Sequence, residues 1–407
     1  MKQIKMILLS LLCAFSTSLQ TFAENVVISV GNDENVQREE LIEVDLKTIS
    51  DKLNLGSGDG LVVKNAFGQQ VDYQITYDKK LLIDVAVRPC GEAKYYVSKG
   101  IPESMKTWVQ GKMYPLRKDD IAWENDRGAY RVYGPALQQS GEKSYGIDVW
   151  TKCTPDLDVE ERYMKDFDGN VRKRELAKAG KKDEVNEESL KISFHLDHGT
   201  GLDCYNVGPS LGCGTPALMD GDKIIMPYCY KDYEILDNGP LRFTVSLTYN
   251  PVTIKKDNQV VEHRVISLDK GSNFNKMTVW YEGLSKPCDL VAGVVIHSED
   301  KESAVVGSDF VQYADPTDNP AKHNFQIYVA ALFPNGAITK KLMYDKPEEG
   351  IEGHAVGIVK NLKNDQKYTY YFGSAWSQYD VRTQNEWQLR INEFLDAIHS
   401  PLNVEIN

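Results

Sequence analysis

Two stretches of the chain hold polar groups more densely than packing requires. The first is RKDDIAWENDRGAYRVYGPAL, residues 117–137. Extended from Arg127 onward, it places Arg127, Arg131 and Tyr133 on one face and Tyr130 and Val132 on the other, because strand side chains alternate. Two guanidiniums beside a phenol suit a sugar carboxylate, since arginine offers a planar bidentate fork. Glu124, Asn125 and Asp126 stand just before them. A carboxylate there can serve as a base, accept sugar hydroxyls, or partner the arginines. The same residues read equally as an internal ion-pair network that fixes a loop.

The second stretch is FHLDHGTGLDCYNVGPSLGCG, residues 194–214. In a strand, His195 and Asp197 face one side and His198 the other. Histidine is the proton carrier best matched to neutral pH, and Tyr205 can act as acid or base if a cation lies near it. Gly199, Gly201, Gly208, Gly212 and Gly214 permit positive φ and close approach of a ligand. A metal site would need three converging ligands such as His195, His198 and Asp203, and their spacing fits no standard motif, so no metal is expected. A structural glycine-rich loop is the alternative. No phosphate-loop pattern and no nucleophile elbow occurs, and no cofactor is expected. Farther on, His297 ends the run Val294-Val295-Ile296 and can project from a strand end into a cleft. Trp376, like Trp150 and Trp280, can stack on a sugar ring or pack in the core. The residues expected to do chemistry are therefore His195, Tyr205, Glu124 and Arg127. Those expected to hold a ligand are Asn125, Asp126, Arg131, Tyr133, Asp197, His198, His297 and Trp376.

These segments need a scaffold. Lys2 and Lys5, the apolar run Met6–Leu12 and Thr21-Phe22-Ala23 read as a cleavable leader over residues 1–23, too short to span a bilayer. A periplasmic or secreted product follows, with no membrane insertion. Lipidation at Cys13 is disfavoured by Leu12, where a small residue should stand. Residues 24–100 carry short alternating runs at roughly ten-residue spacing, the cadence of a small β-sandwich. Residues 101–407 hold strand-like runs including Tyr130–Tyr133, Leu190–Phe194, Phe243–Tyr249, Leu290–His297 and Lys367–Phe372. So many strands predict two large antiparallel sheets packed face to face, an all-β architecture. Residues 165–189 hold seven acids and seven bases, and read as an exposed insertion, partly helical or mobile. Thr383 and Glu386 form a capping box before the stripe Trp387, Ile391, Leu395 and Ile398, which predicts a helix stopped by Ser400-Pro401.

The charge balance excludes one class of partner. With 47 basic and 59 acidic residues the chain carries −12, and no basic run could track phosphates, so nucleic acid is not expected. Past the leader, six scattered cysteines lack a CxxC pair. Cys204 and Cys213 are near enough to staple a loop, and buried thiols are as consistent.

The strings ENDRGAYRVYGPAL, YGIDVW, DHGTGLDCYNVGPSLGCG and NGPLRF, with the later FGSAWS, resemble a secreted bacterial family catalogued as domain of unknown function 4861. The resemblance runs from about residue 100 to the C-terminus. It implies a galactose-mutarotase-like β-supersandwich and, from systems that degrade pectin and uronates, a carbohydrate ligand bearing uronic acid. It supplies no reaction, and no mutarotase His/Glu pair maps onto this chain. The charged insertion is longer than the family pattern. Two functions then remain, the first favoured and the second its alternative. One is an enzyme acting by β-elimination, hydrolysis or epimerisation; for elimination, Arg127 or Arg131 would neutralise the carboxylate and His195 or Tyr205 would take the α-proton. The other is a non-catalytic glycan-binding or accessory protein.

Overall fold

A computed structural model describes residues 25–226, 228–297, 301–316 and 324–407. The leader expected at 1–23 lies outside them. The first unit packs two small sheets. Strands Val26–Asn32, Leu61–Asn65 and Gly91–Lys99 form one; Arg38–Asp45, Tyr73–Ile75 and Lys80–Val87 form the other. Alternation along them buries Val26, Ile28 and Val30 against Leu81, Ile83 and Val85. A helix that alternation did not predict, Leu46–Leu53, starts where Asp45 accepts the Lys47 amide at 2.8 Å. The last strand, Asn403–Ile406, returns to this unit and pairs antiparallel with Val26–Asn32. Both ends of the described chain thus share one sheet.

The second unit is the predicted pair of antiparallel sheets, one of five strands and one of nine. Their inner faces meet through Leu218, Val294, Val329, Tyr370 and Phe372. Helix Gln384–His399 covers the outer face of the larger sheet, burying Trp387, Ile391 and Leu395 against Phe274, Tyr328 and Leu332. Its Thr383 hydroxyl accepts the Glu386 amide at 3.2 Å, as the capping box predicts.

A third, four-stranded sheet carries the arginine stretch: Gln110–Tyr114, Asp120–Glu124, Ala129–Val132 and Asp148–Trp150. Against it lies the charged insertion, which is a helical hairpin, Val159–Lys178 and Lys182–Ile192. The two helices approach closely at Gly169, where a Cβ would come within 2.1 Å of Ile192. Val159 and Tyr163 bury against Tyr114, Ala122 and Trp150. Where a strand is expected at Leu190–Phe194, residues 190–192 end the second helix and 193–194 open the following loop. A short apolar run fits either period, and here hairpin packing decides. Residues 193–212 form a loop, so strand alternation does not sort His195, Asp197 and His198.

Candidate functional site

The two dense stretches meet at Arg131. Strand pairing sets Asp148 opposite Arg131, and a bridge from Trp150 to Asp203 brings the glycine loop alongside. Arg131 is ion-paired with Asp148, lies 3.3 Å from Asp203 and 3.6 Å from Asp120, and reaches the Tyr133 hydroxyl at 3.5 Å. All five side chains are buried. Three carboxylates thus share one guanidinium. Burial, opposed by Arg131, pushes Asp120 up to about 6. Burial and the neighbouring Asp148 charge, again opposed by Arg131, push Asp203 up to about 7. Arg131 and Tyr133 do share a face, but that face is interior.

Glu124, Asn125, Asp126 and Arg127 are turned to other tasks. Glu124 is fully buried and ion-paired with Lys152. Its carboxylate also accepts the amides of Asp158 at 3.0 Å and Val159 at 2.8 Å, which caps the first helix of the hairpin. Asn125 donates to the Asp269 and Ser272 carbonyls, each at 2.7 Å, and accepts the Arg127 and Gly128 amides. Asp126 accepts the Gly271 amide at 2.7 Å. Arg127 pairs with Asp380 and donates to the Gly271 carbonyl. Together Asn125, Asp126 and Arg127 tie one turn to the 269–272 loop.

The glycines answer to the chain itself. A Cβ on Gly201 (φ +117°) would lie 2.1 Å from the Thr151 carbonyl oxygen, and one on Gly212 (φ +55°) would lie 2.4 Å from that of Ile147. Close approach here is of loop to strand. Asp197 closes the loop by accepting the Gly199 and Gly201 amides at 2.8 and 3.0 Å. His198 Nε2 bonds the Ser193 carbonyl at 3.0 Å. His195 Nδ1 must donate to the Asp203 carbonyl at 2.8 Å, which leaves Nε2 as the basic nitrogen of an exposed ring. His198 and Asp197 also line a shallow groove of about 580 Å³ with Leu196 and Asn324.

Tyr205 does not gain the cation its proposed chemistry needed. Its hydroxyl is buried without a hydrogen bond. Burial first, then the Cys213, Asp315 and Asp148 groups, hold its pKa well above the usual phenol range. His297 sits edge-on to that ring, with centroids 6.4 Å apart. It bonds Asp315 through Nδ1 at 2.8 Å and the Asn206 carbonyl through Nε2 at 3.0 Å, pinning the glycine loop to the five-stranded sheet. Trp376 is a core residue whose indole N–H donates to the Asn324 carbonyl at 2.8 Å. Cys213 keeps its thiol, donating to the Gly373 carbonyl at 3.4 Å, so no bridge joins it to Cys204.

A second open space lies between the hairpin and the edge of the four-stranded sheet. A cleft of about 770 Å³ opens there. Its apolar wall is Tyr114, Leu116, Tyr163, Met164 and Phe167, and the rings of Tyr114 and Tyr163 lie 4.3 Å apart. Lys112, Arg117, Lys118, Lys173 and Arg174 line it, against Glu160 and Asp166. Lys112 pairs with Glu160, and Lys118 with Glu142. Lys173 and Arg174 make no ion pair among the described residues, and Arg117 makes none within 4 Å, although its charge reaches the buried Asp120 and Asp203 and helps hold their pKa values down. Sequence reasoning singled out none of these residues as ligand contacts. The available signal was the run Arg172-Lys173-Arg174, but its partner Arg117 stands more than fifty residues earlier and only the fold unites them.

Fold and cleft define a two-sheet antiparallel β-sandwich protein with an added small sandwich and a helical-hairpin insertion. A family model described as "Domain of unknown function (DUF4861)" matches residues 30–404, and the chain belongs to that family. The match takes in the small leading unit as well as the region from residue 100 onward. A relative from Formosa agariphila, named "Uncharacterized protein P7", is 25% identical over 338 residues, covering 80% of this chain and 78% of that protein. Among solved structures, an α-mannosidase from Enterococcus faecalis aligns with a TM-score of 0.46 at 9% identity, over 94% of this chain and 46% of that one. A glycosyl hydrolase family 38 protein from the same organism aligns with a TM-score of 0.49 at 8% identity, over 94% of this chain and 47% of its own. The chain spans about half the length of these two structures.

Proposed function

We propose that the protein is a secreted glycan-binding protein whose hairpin cleft takes an acidic, uronate-bearing oligosaccharide of the pectic kind. One observation carries the reading: Arg117, Lys173 and Arg174, none of them in a close ion pair among the described residues, line one cavity in a chain of net charge −12. Gathering like charges costs energy unless an anion completes the set. The volume falls within the range of small-ligand sites, about 300–1,000 Å³. Exposed Phe167, with Leu116 and Met164, gives the apolar faces of a sugar ring a surface to lie on. Placement favours binding over turnover. Glu124 is already held by Lys152 and two helix amides, Arg127 is paired with Asp380, and the Tyr205 hydroxyl is buried. Secretion rests on the leader reading of residues 1–23.

Calorimetric titration with trigalacturonate and with a neutral trisaccharide tests this. The acid should bind saturably, more weakly as salt is raised, and the neutral sugar at least about tenfold less well. Equal binding of both, or of neither, refutes the reading. The ultraviolet absorbance of the same mixture should stay flat; a rise from an unsaturated uronate would restore β-elimination.

A further inference from the structure

Two polar atoms in the wall of the cleft stand out. The Nε of Arg117 and the hydroxyl of Tyr163 are buried, and neither finds an acceptor for its proton among the described residues. Both atoms are donors. Tyr163 is 5% exposed, and its polar neighbour Arg131 can only donate, so it cannot accept the phenol's proton. Buried donors are satisfied in nearly all folded proteins, and an unsatisfied pair in one cavity wall requires a reason. The two residues come from separate segments: Arg117 from the single turn Pro115–Arg117, Tyr163 from the second turn of the first hairpin helix. Arg117 is also held in place, its guanidinium lying 5.0 Å from the centre of the Phe194 ring. Of the acids nearby, Asp166 accepts only from the Asn170 side-chain amide, at 3.0 Å. Asp120 and Asp203 lie around Arg131, and Glu160 is taken by Lys112.

We propose that Arg117 Nε–H and the Tyr163 hydroxyl form the subsite that receives the ligand's carboxylate, so that the cleft selects a free uronic acid over its methyl ester. The inference rests on the acidic-oligosaccharide reading above. A carboxylate offers an acceptor to each donor and a charge to the guanidinium. An ester keeps a carbonyl acceptor but loses the charge and blocks one oxygen.

The test uses the full chain, with trigalacturonate and its methyl ester as probes in calorimetry. The native protein should prefer the acid by about tenfold or more. Arg117→Gln should lower affinity for the acid by about that factor and for the ester by far less, which erases the preference. Tyr163→Phe should cost the acid a few-fold, about what one charge-assisted hydrogen bond contributes. Arg117→Lys keeps the charge without the directed Nε donor and should fall between. Thermal melts confirm that each variant is folded. If the native protein binds acid and ester equally, or the folded variants keep its full preference, this inference fails while the binding reading stands. If the native protein binds neither probe, the binding reading itself has failed.

Discussion

The placement of Glu124 separates a structural carboxylate from a catalytic one, and a double-mutant cycle with Lys152 reads the difference. Both side chains are fully buried. The Glu124 carboxylate receives Lys152 Nζ, the Asp158 and Val159 amides, and Gln110 Nε2 at 3.2 Å. Lys152 Nζ also donates to the Asn125 and Asp156 carbonyls at 2.8 and 2.7 Å. Lys152→Met leaves a buried carboxylate with neutral donors only, and stranding one member of a buried pair costs about 3–5 kcal/mol. Glu124→Gln strands the ammonium and turns one acceptor of a helix amide into a donor, a cost of similar size. The double variant removes both charges, so the two losses should fall short of additivity by about 2–3 kcal/mol. Urea unfolding followed by tryptophan fluorescence gives the four free energies. Single losses below about 1 kcal/mol, or strictly additive ones, would refute the structural role. A catalytic carboxylate would show the opposite pattern, intact stability with lost turnover.

Further outcomes follow from the same contacts. Gly201→Ala must place a Cβ 2.1 Å from the Thr151 carbonyl oxygen at φ +117°, and should destabilise the fold by about 1–3 kcal/mol in the same assay. The pKa of Asp203 is raised to about 7 in the fold, above an unfolded value of about 3.9, so the native state holds the extra proton between those values and loses stability as pH rises through that window. Asp203→Asn should flatten this slope, and stability measured from pH 4 to 8 that falls as steeply in the variant as in the native protein would contradict it. Replacing Lys173 and Arg174 together by alanine should weaken trigalacturonate binding about tenfold and reduce its salt dependence, with the melting temperature unchanged.

Much of the fold was legible because its signals are local. Alternation placed Phe243–Tyr249 and a continuous apolar run placed Leu290–His297, which the structure finds at Arg242–Tyr249 and Cys288–His297. The Thr383–Glu386 box marked the C-terminal helix to the residue. Leu190–Phe194 misled because five residues cannot distinguish the two periods. The C-terminal strand joins the first sheet across nearly the whole chain, a pairing no local pattern encodes. The site was harder for a physical reason. Dense charge marks burial networks and ligand sites alike, and Arg131 with its three carboxylates is the former. The cleft draws its cations from a turn at 115–118 and a helix at 173–174, each unremarkable alone. The glycines of 199–214 signalled close approach correctly, but what approaches is the chain's own backbone at Thr151 and Ile147.

Hydrogen exchange read by mass spectrometry, with and without saturating trigalacturonate, tests the location of binding most directly. Slowed exchange should fall on residues 112–118 and 160–177, the two walls of the cleft. Protection centred instead on 194–206 or around His297, or none anywhere, would contradict the account.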